Sequence, residues 1–525
     1  MTTTAHPTVA PPATFTPELV RRLGGLVVGS GGAHHTVVHV FTGEPLADVP
    51  LSTVDDVEGA VATAREAQPA WAARPVRERV RIVRRLLELL QDERELIADL
   101  VQAETGKARL HAFQEQLDPL LVGSYYARKA AKLLRPRRRT GMFPLVASAL
   151  ERQVPKGVVG IISPWNFPFA LALNDALAAL LAGNAVVLKP DWQTPFSPLY
   201  GVALAHRAGV PAEVFQVVLG DGPVVGPALV EQVDYVGFTG SSRTGRDVAQ
   251  RSGARLVGCS LELGGKNPML VLDDADLDRA VCSALQGVFL NAGQACAGVE
   301  RIYVQQPRYA DFLAKYVAAV ESLRLGASYS DLGVDVGSLI SANQLERVSG
   351  HVADAVAGGA TVETGGRPLP ELGPYFYQPT VLTGVTREMV CCGEETFGPV
   401  VSVTPVADEA EAIARANDTE YGLSASVFTR SGSRGRRVAA AIRAGAVNIN
   451  DAFGTAYGTM DAPMGGMGSS GLGRRHGTEG LLKYTEPQTV VRLRLGVVDP
   501  PPDGRDKYVR MTAESIRWMS RARIR

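Results

Sequence analysis

The sequence predicts an α/β fold organised around a parallel sheet, and three observations carry that prediction. Short β-branched runs bounded by Gly, Asn or Pro recur at residues 157–162, 185–188, 215–219 and 235–239. Helical or turn segments lie between them, and strands alternating with helices argue for parallel pairing through right-handed crossovers. A second series of such runs follows at 269–272, 301–304 and 400–406, in a chain of 525 residues and 46% hydrophobic content. That length allows two to four domains, each with its own core.

Taken in order, residues 1–15 are rich in Thr, Pro and Ala and are expected to be disordered. Helical periodicity is clearest over 76–108, where Ile82, Leu86, Leu90, Ile97 and Val101 recur in steps of four or seven. The basic stretch Arg135-Pro-Arg-Arg-Arg139 reads as solvated surface, and an extended segment follows to Val154. The apolar run 170–181 contains Asn174 and Asp175 and is too short to span a bilayer, so it reads as a buried helix. Beyond Asp499-Pro-Pro-Pro, a tail rich in Arg would place Tyr508, Met511, Ser515 and Trp518 or Met519 near one face of a helix. A terminal helix packed on the surface is the plain reading of it, and peripheral membrane contact is the alternative.

Charge is balanced, with 54 Lys and Arg against 54 Asp and Glu, which gives no reason to expect nucleic acid as a partner. Five cysteines in such a chain do not make a disulfide framework, and the N-terminus lacks the basic and apolar regions of a secretory signal. The expected location is the cytoplasm.

One cysteine differs from the rest in its setting. Cys296 lies in Asn291-Ala-Gly-Gln-Ala-Cys-Ala-Gly298, where small neighbours leave room for a substrate. They also let backbone N–H groups point at the sulfur, which would favour the thiolate. Cys259, Cys282, Cys391 and Cys392 lack that setting and are expected to pack. Glu262 sits between two leucines in Ser-Leu-Glu-Leu-Gly-Gly-Lys266, where burial would raise its pKa and make it a candidate base. Asn166, in Pro164-Trp-Asn-Phe-Pro168, follows a strand and could donate to an oxyanion or simply close a turn. Phe238-Thr-Gly-Ser-Ser-Arg-Thr-Gly245 leads from a strand into a helix, a setting whose N–H groups suit a pyrophosphate. Lys189 ends another strand and could reach a ribose or phosphate, or be merely solvated.

These motifs, together with Glu394-Glu-Thr-Phe-Gly-Pro399 and Pro463-Met-Gly-Gly-Met-Gly-Ser-Ser-Gly-Leu-Gly473, resemble the aldehyde dehydrogenase superfamily over about residues 20 to 495 and occur in its order. The resemblance implies the aldehyde dehydrogenase fold: a Rossmann-like cofactor domain (16–135 and 155–263), an α/β catalytic domain (264–466) and a small β oligomerisation arm (136–154 and 482–495). Residues 499–525 would be a basic extension. It implies a homodimer or homotetramer, an aldehyde substrate and no metal. Cys296 would be the nucleophile, Asn166 the oxyanion donor and Glu262 the base. NAD or NADP would be held by Trp165, Lys189, Gly240, Ser241, Gly245, Leu263, Glu395 and Phe397.

Two departures from the family pattern bear on specificity. Where many NAD-specific members have Lys-Pro-Ser-Glu, this chain has Lys189-Pro-Asp-Trp192. Trp192 removes a carboxylate that would repel a 2′-phosphate while Asp191 adds one nearby, a balance read as favouring NADP. Overall likeness is greatest to the actinobacterial-type succinate-semialdehyde dehydrogenases, which points to that substrate. Yet the two arginines that grip the distal carboxylate in well-known members fall here on Asn174 and Leu290. A broad-specificity enzyme for uncharged aldehydes is therefore the rival reading. A CoA-acylating enzyme would not need Glu262, and a silent cofactor-binding or structural protein would not need Cys296, Glu262 and Asn166 together.

Overall fold

The computed structural model describes residues 9–141, 147–494 and 502–521. Its first sheet runs Gly471–Leu472, Gly258–Glu262, Tyr235–Thr239, Val158–Ile162, Ala185–Lys189, Phe215–Val217, parallel throughout except for the two-residue edge strand. The chain builds outward from Val158–Ile162 to Phe215–Val217, then returns to lay Tyr235–Thr239 on the other side of the first strand. That reversal opens a crevice at the carboxyl ends of Val158–Ile162 and Tyr235–Thr239, the place where open α/β sheets take ligands.

The connection Pro168–Ala182 is a helix in which all residues are buried, as its unbroken apolar run predicts. Proline at its first position is pre-set for a helix, and Gly183 ends it in the left-handed region at φ +98°. The periodic stretch over 76–108 forms two helices, Val76–Asp92 and Arg94–Thr105, which turn at Glu93. Leu86, Leu90, Ile97 and Val101 point into the same core as the first sheet.

A second sheet has seven strands, in the order Thr361–Thr364, Thr380–Thr383, Val400–Val406, Val299–Gln305, Asn267–Val271, Ser424–Phe428, Ala446–Ile449. Only its first pair is antiparallel. The chain leaves the first sheet at Glu262 and enters the second at Asn267, so the end of one sheet abuts the start of the other. A third sheet pairs Thr485–Leu493 with Ala147–Pro155 over nine residues and adds Arg137–Arg139. It stands away from the core, and Val490, Val491 and Leu493 on it are exposed.

The N-terminal stretch differs from the disorder expected of residues 1–15. Residues 1–8 lie outside the described residues, but 9–15 are docked. Thr14 Oγ1 donates to Asp99 Oδ2 at 2.6 Å, and Phe15 sets its ring edge-on to Phe196 with centroids 5.2 Å apart. Val9 packs on the Phe41, Leu369 and Phe376 cluster, so two apolar side chains and one hydrogen bond anchor this Pro- and Ala-rich segment. Cys282 also departs from the packing expected of it, because it lies exposed on the helix Leu277–Phe289. The tail forms the helix Arg505–Arg521, and none of its residues is buried, so it does not pack on the surface as expected. No helix among the described residues is long and apolar enough to cross a membrane.

Candidate active site

The crevice at the carboxyl edge of the first sheet gathers most of the residues singled out in the sequence. Val158–Ile162 delivers Trp165 and Asn166, Ala185–Lys189 ends on Lys189, Tyr235–Thr239 leads into Gly240 and Ser241, and Gly258–Glu262 ends on Glu262. Ser241 caps the helix Ser242–Ala254, its hydroxyl accepting from Thr244 N at 3.2 Å. That helix therefore presents its free N–H groups and positive end to the crevice. Gly245 lets the helix approach Leu263, whose side chain a Cβ there would meet at 2.5 Å. Lys189 is buried, and among the described residues its ammonium has only Pro190 O, at 3.4 Å, for an acceptor. Burial lowers its pKa, while Asp191 and Asp221 pull it back up. A buried cation with donors to spare, at the same carboxyl edge of the sheet as a helix N-terminus, suits the phosphates and ribose of a dinucleotide. Trp192 stacks on His35 with centroids 4.6 Å apart, and Asp191 Oδ1 is turned back onto Gln193 N at 3.0 Å.

Cys296 sits on the loop before Val299–Gln305 and is half-buried. Small residues give that loop its shape. Gly293 has φ +75°, and a Cβ on it would fall 2.0 Å from Gly398 O, so no other residue fits between the two loops. Asn291 and Ala292 both take left-handed backbone at φ 53°, strain that persists only when its surroundings enforce it. Asn291 Nδ2 does so by donating to Asn166 O at 2.9 Å and Gln294 O at 3.2 Å. The Asn166 amide in turn donates to Gln294 O at 3.0 Å, which brings it to the cysteine loop with a second N–H to spare.

The electrostatics corrects one expectation. Burial pushes the Cys296 thiol up to about 12, and the nearby carboxyls of Glu395 and Glu262 add to the effect. A backbone hydrogen bond at Ala297 and the charge of Arg475 act the other way, but they do not prevail. The small-residue loop does aim an N–H at the sulfur as anticipated, yet the resting group is the thiol. Burial likewise pushes Glu262 up to about 7, against the pull of Arg475 and Lys483. Its Oε1 is buried without a hydrogen-bond partner among the described residues. Glu395 rises to about 8 through burial and the charge of Glu300, and it accepts from Gly265 N at 2.9 Å. Phe397 takes φ +58° and meets Trp165 edge-on, with ring centroids 5.5 Å apart.

Several residues that organise this site carried no signal in the sequence. Asn267 Nδ2 donates to Cys296 O at 2.7 Å and Gly298 O at 2.8 Å, pinning the Cys296 loop to the first residue of the adjacent strand. Lys266 pairs with Glu300 in the interior, and Glu300 accepts from Thr396 N and Phe397 N at 2.9 Å. Gln344 Nε2 donates to Phe397 O at 2.7 Å and Arg347 to Glu395 O at 2.6 Å, which clamps the 394–399 loop from its other side. Asp175 accepts from Arg475 at 2.6 Å, Lys483 at 3.0 Å and Tyr484 at 2.8 Å. Burial would raise the Asp175 carboxyl, but Arg475 and Lys483 hold it well below the usual range. Asp175 was visible only as a polar residue in an apolar run, and Lys266 and Asn267 only as the residues after a glycine pair.

The two positions expected to bear on specificity are also defined. Asn174 is buried and its Nδ2 donates to Asp118 Oδ2 at 2.6 Å, while Tyr457 donates to the same oxygen. Asp118 Oδ1 and Asn174 Oδ1 have no partner among the described residues. Leu290 is half-buried at the end of the helix Leu277–Phe289. Among the described residues no group of three or more His, Cys, Asp or Glu is placed to hold a metal ion.

Known proteins resemble this chain in both sequence and fold. A family model described as the aldehyde dehydrogenase family matches residues 27–490. The chain is 53% identical over 465 residues to a provisionally named NADP(+) succinate-semialdehyde dehydrogenase of Mycolicibacterium smegmatis, covering 89% of this chain and 90% of that one. Among solved structures, an E. coli NADP-dependent enzyme superposes with a TM-score of 0.85 at 37% identity, over 89% of this chain and 96% of the other. The NAD+ complex of an aldehyde dehydrogenase from Bacillus cereus gives 0.85 at 35% identity, over 91% and 99%.

Proposed function

The chain belongs to the aldehyde dehydrogenase family, and on that premise we propose that it oxidises an aldehyde to its carboxylic acid through a thioester on Cys296. The observation that carries the reading is Glu262, a buried carboxyl held at about 7 with a free oxygen and close enough to raise the Cys296 thiol. Such a group is half ionised at neutral pH and can take a proton from water there.

The Cys296 thiol gives up its proton to solvent water as the sulfur attacks the carbonyl carbon; the C–S bond forms, the C=O π bond opens, and negative charge is left on the oxygen. The free N–H of Asn166 and the backbone N–H of Cys296 would receive that charge. NAD(P), when bound, supplies the acceptor for the hydride that leaves the carbon. Lys189 would hold the adenosine ribose, with Gly240, Ser241 and Gly245 at the pyrophosphate and Glu395 at the nicotinamide ribose. Trp165, Leu263 and Phe397 would form apolar walls. The resulting thioester is opened by water: Glu262 takes its proton, the oxygen adds to the carbon, and the C–S bond breaks to release the acid and the sulfur.

Succinate semialdehyde is the leading substrate, on the strength of the relatives' name, with NADP favoured by that name and by Trp192. One observation favours a second reading. The site of one carboxylate-gripping arginine holds Asn174 tied to Asp118, where two buried acceptor oxygens lack partners. Acceptors there do not attract a carboxylate, and an uncharged aldehyde suits them better. Parallel kcat/KM measurements with succinate semialdehyde and an uncharged aldehyde of the same length decide it. A preference of tenfold or more for the uncharged one, about 1.4 kcal/mol, removes the semialdehyde assignment.

The same reading takes 16–135 with 155–263 as the cofactor domain and 264–466 as the catalytic domain. The arm 136–154 with 482–495 would join copies, because its exposed Val490, Val491 and Leu493 need a cover. It also assigns a homodimer or homotetramer in the cytoplasm, in keeping with five cysteines that are all free.

A further inference from the structure

We propose that the helix Arg505–Arg521 is a docking element for anionic membrane surfaces, carrying the enzyme to a bilayer without crossing it. The helix lies outside the segment matched by the family model, which ends at residue 490. None of its residues is buried, and Val509, Met511, Ile516 and Trp518 are 62%, 58%, 53% and 62% exposed. Large apolar side chains so exposed on a soluble body mark an interaction surface.

The arrangement of charge specifies the partner. At roughly 100° per residue, Asp506, Lys507, Arg510, Glu514, Arg517 and Arg521 fall within an arc of about 100°. Four cations against two anions leave that arc positive by two, and Arg505 adds a further cation at the helix start. Tyr508, Val509, Met511, Ile516, Trp518 and Met519 lie on the remaining surface, interspersed with Arg505, Thr512, Ser515 and Ser520. A face that sets Trp, Tyr, Met and β-branched side chains among small hydroxyl residues, bordered by a positive strip, fits the boundary between anionic headgroups and acyl chains. At 17 residues the helix is roughly 25 Å long, too short and too charged to span a hydrocarbon core of about 30 Å. It would lie flat. A second copy of the same helix would cover the apolar side chains and leave the cations unused, whereas anionic lipid satisfies both.

Sedimentation with vesicles tests this on the full chain beside a variant ending at residue 498. Vesicles of phosphatidylcholine alone are compared with vesicles containing about 30% phosphatidylglycerol. The full chain is expected to bind the anionic vesicles at least about tenfold more and to be released when salt rises from about 0.1 to about 0.5 M. Truncation should abolish binding with kcat unchanged. Trp518→Ser with Ile516→Ser should weaken binding at both salt concentrations, and Arg510→Glu with Arg517→Glu should remove the preference for anionic lipid. A full chain that stays in the supernatant overturns the proposal, as does a truncated chain that binds equally well. Truncation that alters only the oligomeric mass in light scattering also overturns it and assigns the helix to contact between copies.

Discussion

Replacing Glu262 by Gln separates the chemical role of this carboxyl from its cost to the fold. The side chain is 5% exposed, and burial holds its pKa at about 7 against an ordinary 4.5. In the proposed mechanism ionised Glu262 is the active base, so kcat of the wild type should rise with pH through about 7 and fall roughly tenfold by pH 6. Gln cannot accept the proton, so the variant should lose that limb and about 10² to 10⁴ in kcat. Hydride removal precedes the step that needs the base. Stopped-flow absorbance of reduced cofactor should therefore still show a burst of about one equivalent per site, with acylated Cys296 visible by mass spectrometry.

The stability effect has the opposite sign. A carboxyl whose folded pKa lies above its unfolded one binds more protons when folded, so stability falls as pH rises from 4.5 through about 7. Above that window the ionised, buried group costs at most about 3 kcal/mol, the free energy that separates the two values. Glu262→Gln should therefore melt higher than wild type at pH 8 and match it at pH 4.5. Calorimetry reads this directly. Steady-state turnover above about a tenth of wild type with the same pH limb would refute the role assigned to Glu262. Equal melting temperatures at both pH values would refute the burial argument.

Other predictions concern the residues around it. In the cofactor-free enzyme the Cys296 thiol stands near 12, so its alkylation by iodoacetamide should keep accelerating past pH 9, with no plateau near neutrality, as followed by peptide mass spectrometry. Asn166→Ala should lower kcat by about 10² to 10³ with little change in KM, because the lost donor serves charge that develops after binding. Trp192→Glu should shift the ratio of kcat/KM for NADP over NAD toward NAD by about tenfold or more, by setting a carboxylate against the 2′-phosphate. Asn267→Ala releases Cys296 O and Gly298 O from their shared donor. It should cut kcat while leaving cofactor Kd unchanged, measured by quenching of protein fluorescence.

Much of the fold was legible in the sequence because its signals are local. β-Branched runs such as 158–162 and 185–189 form strands wherever both faces are covered, and the apolar run around Asn174 and Asp175 forms a helix buried on all sides. The groups proposed to react were legible for the same reason: small residues around Cys296 and leucines around Glu262 are adjacent in the chain. Only the tertiary structure decided what those groups experience. Asp175 meets Arg475 across 300 residues, Asn267 holds Cys296 across 29, and Glu300 gathers Thr396 and Phe397 across about 97. Neighbours in sequence predicted a thiolate at Cys296, whereas burial and the carboxyls of Glu395 and Glu262 make it a thiol. A pKa is set by everything within a few ångströms, and most of that arrives from distant parts of the chain. The order of the motifs therefore identified the chemistry, and the packing of remote segments fixed its protonation states and the acceptor-lined position at Asn174.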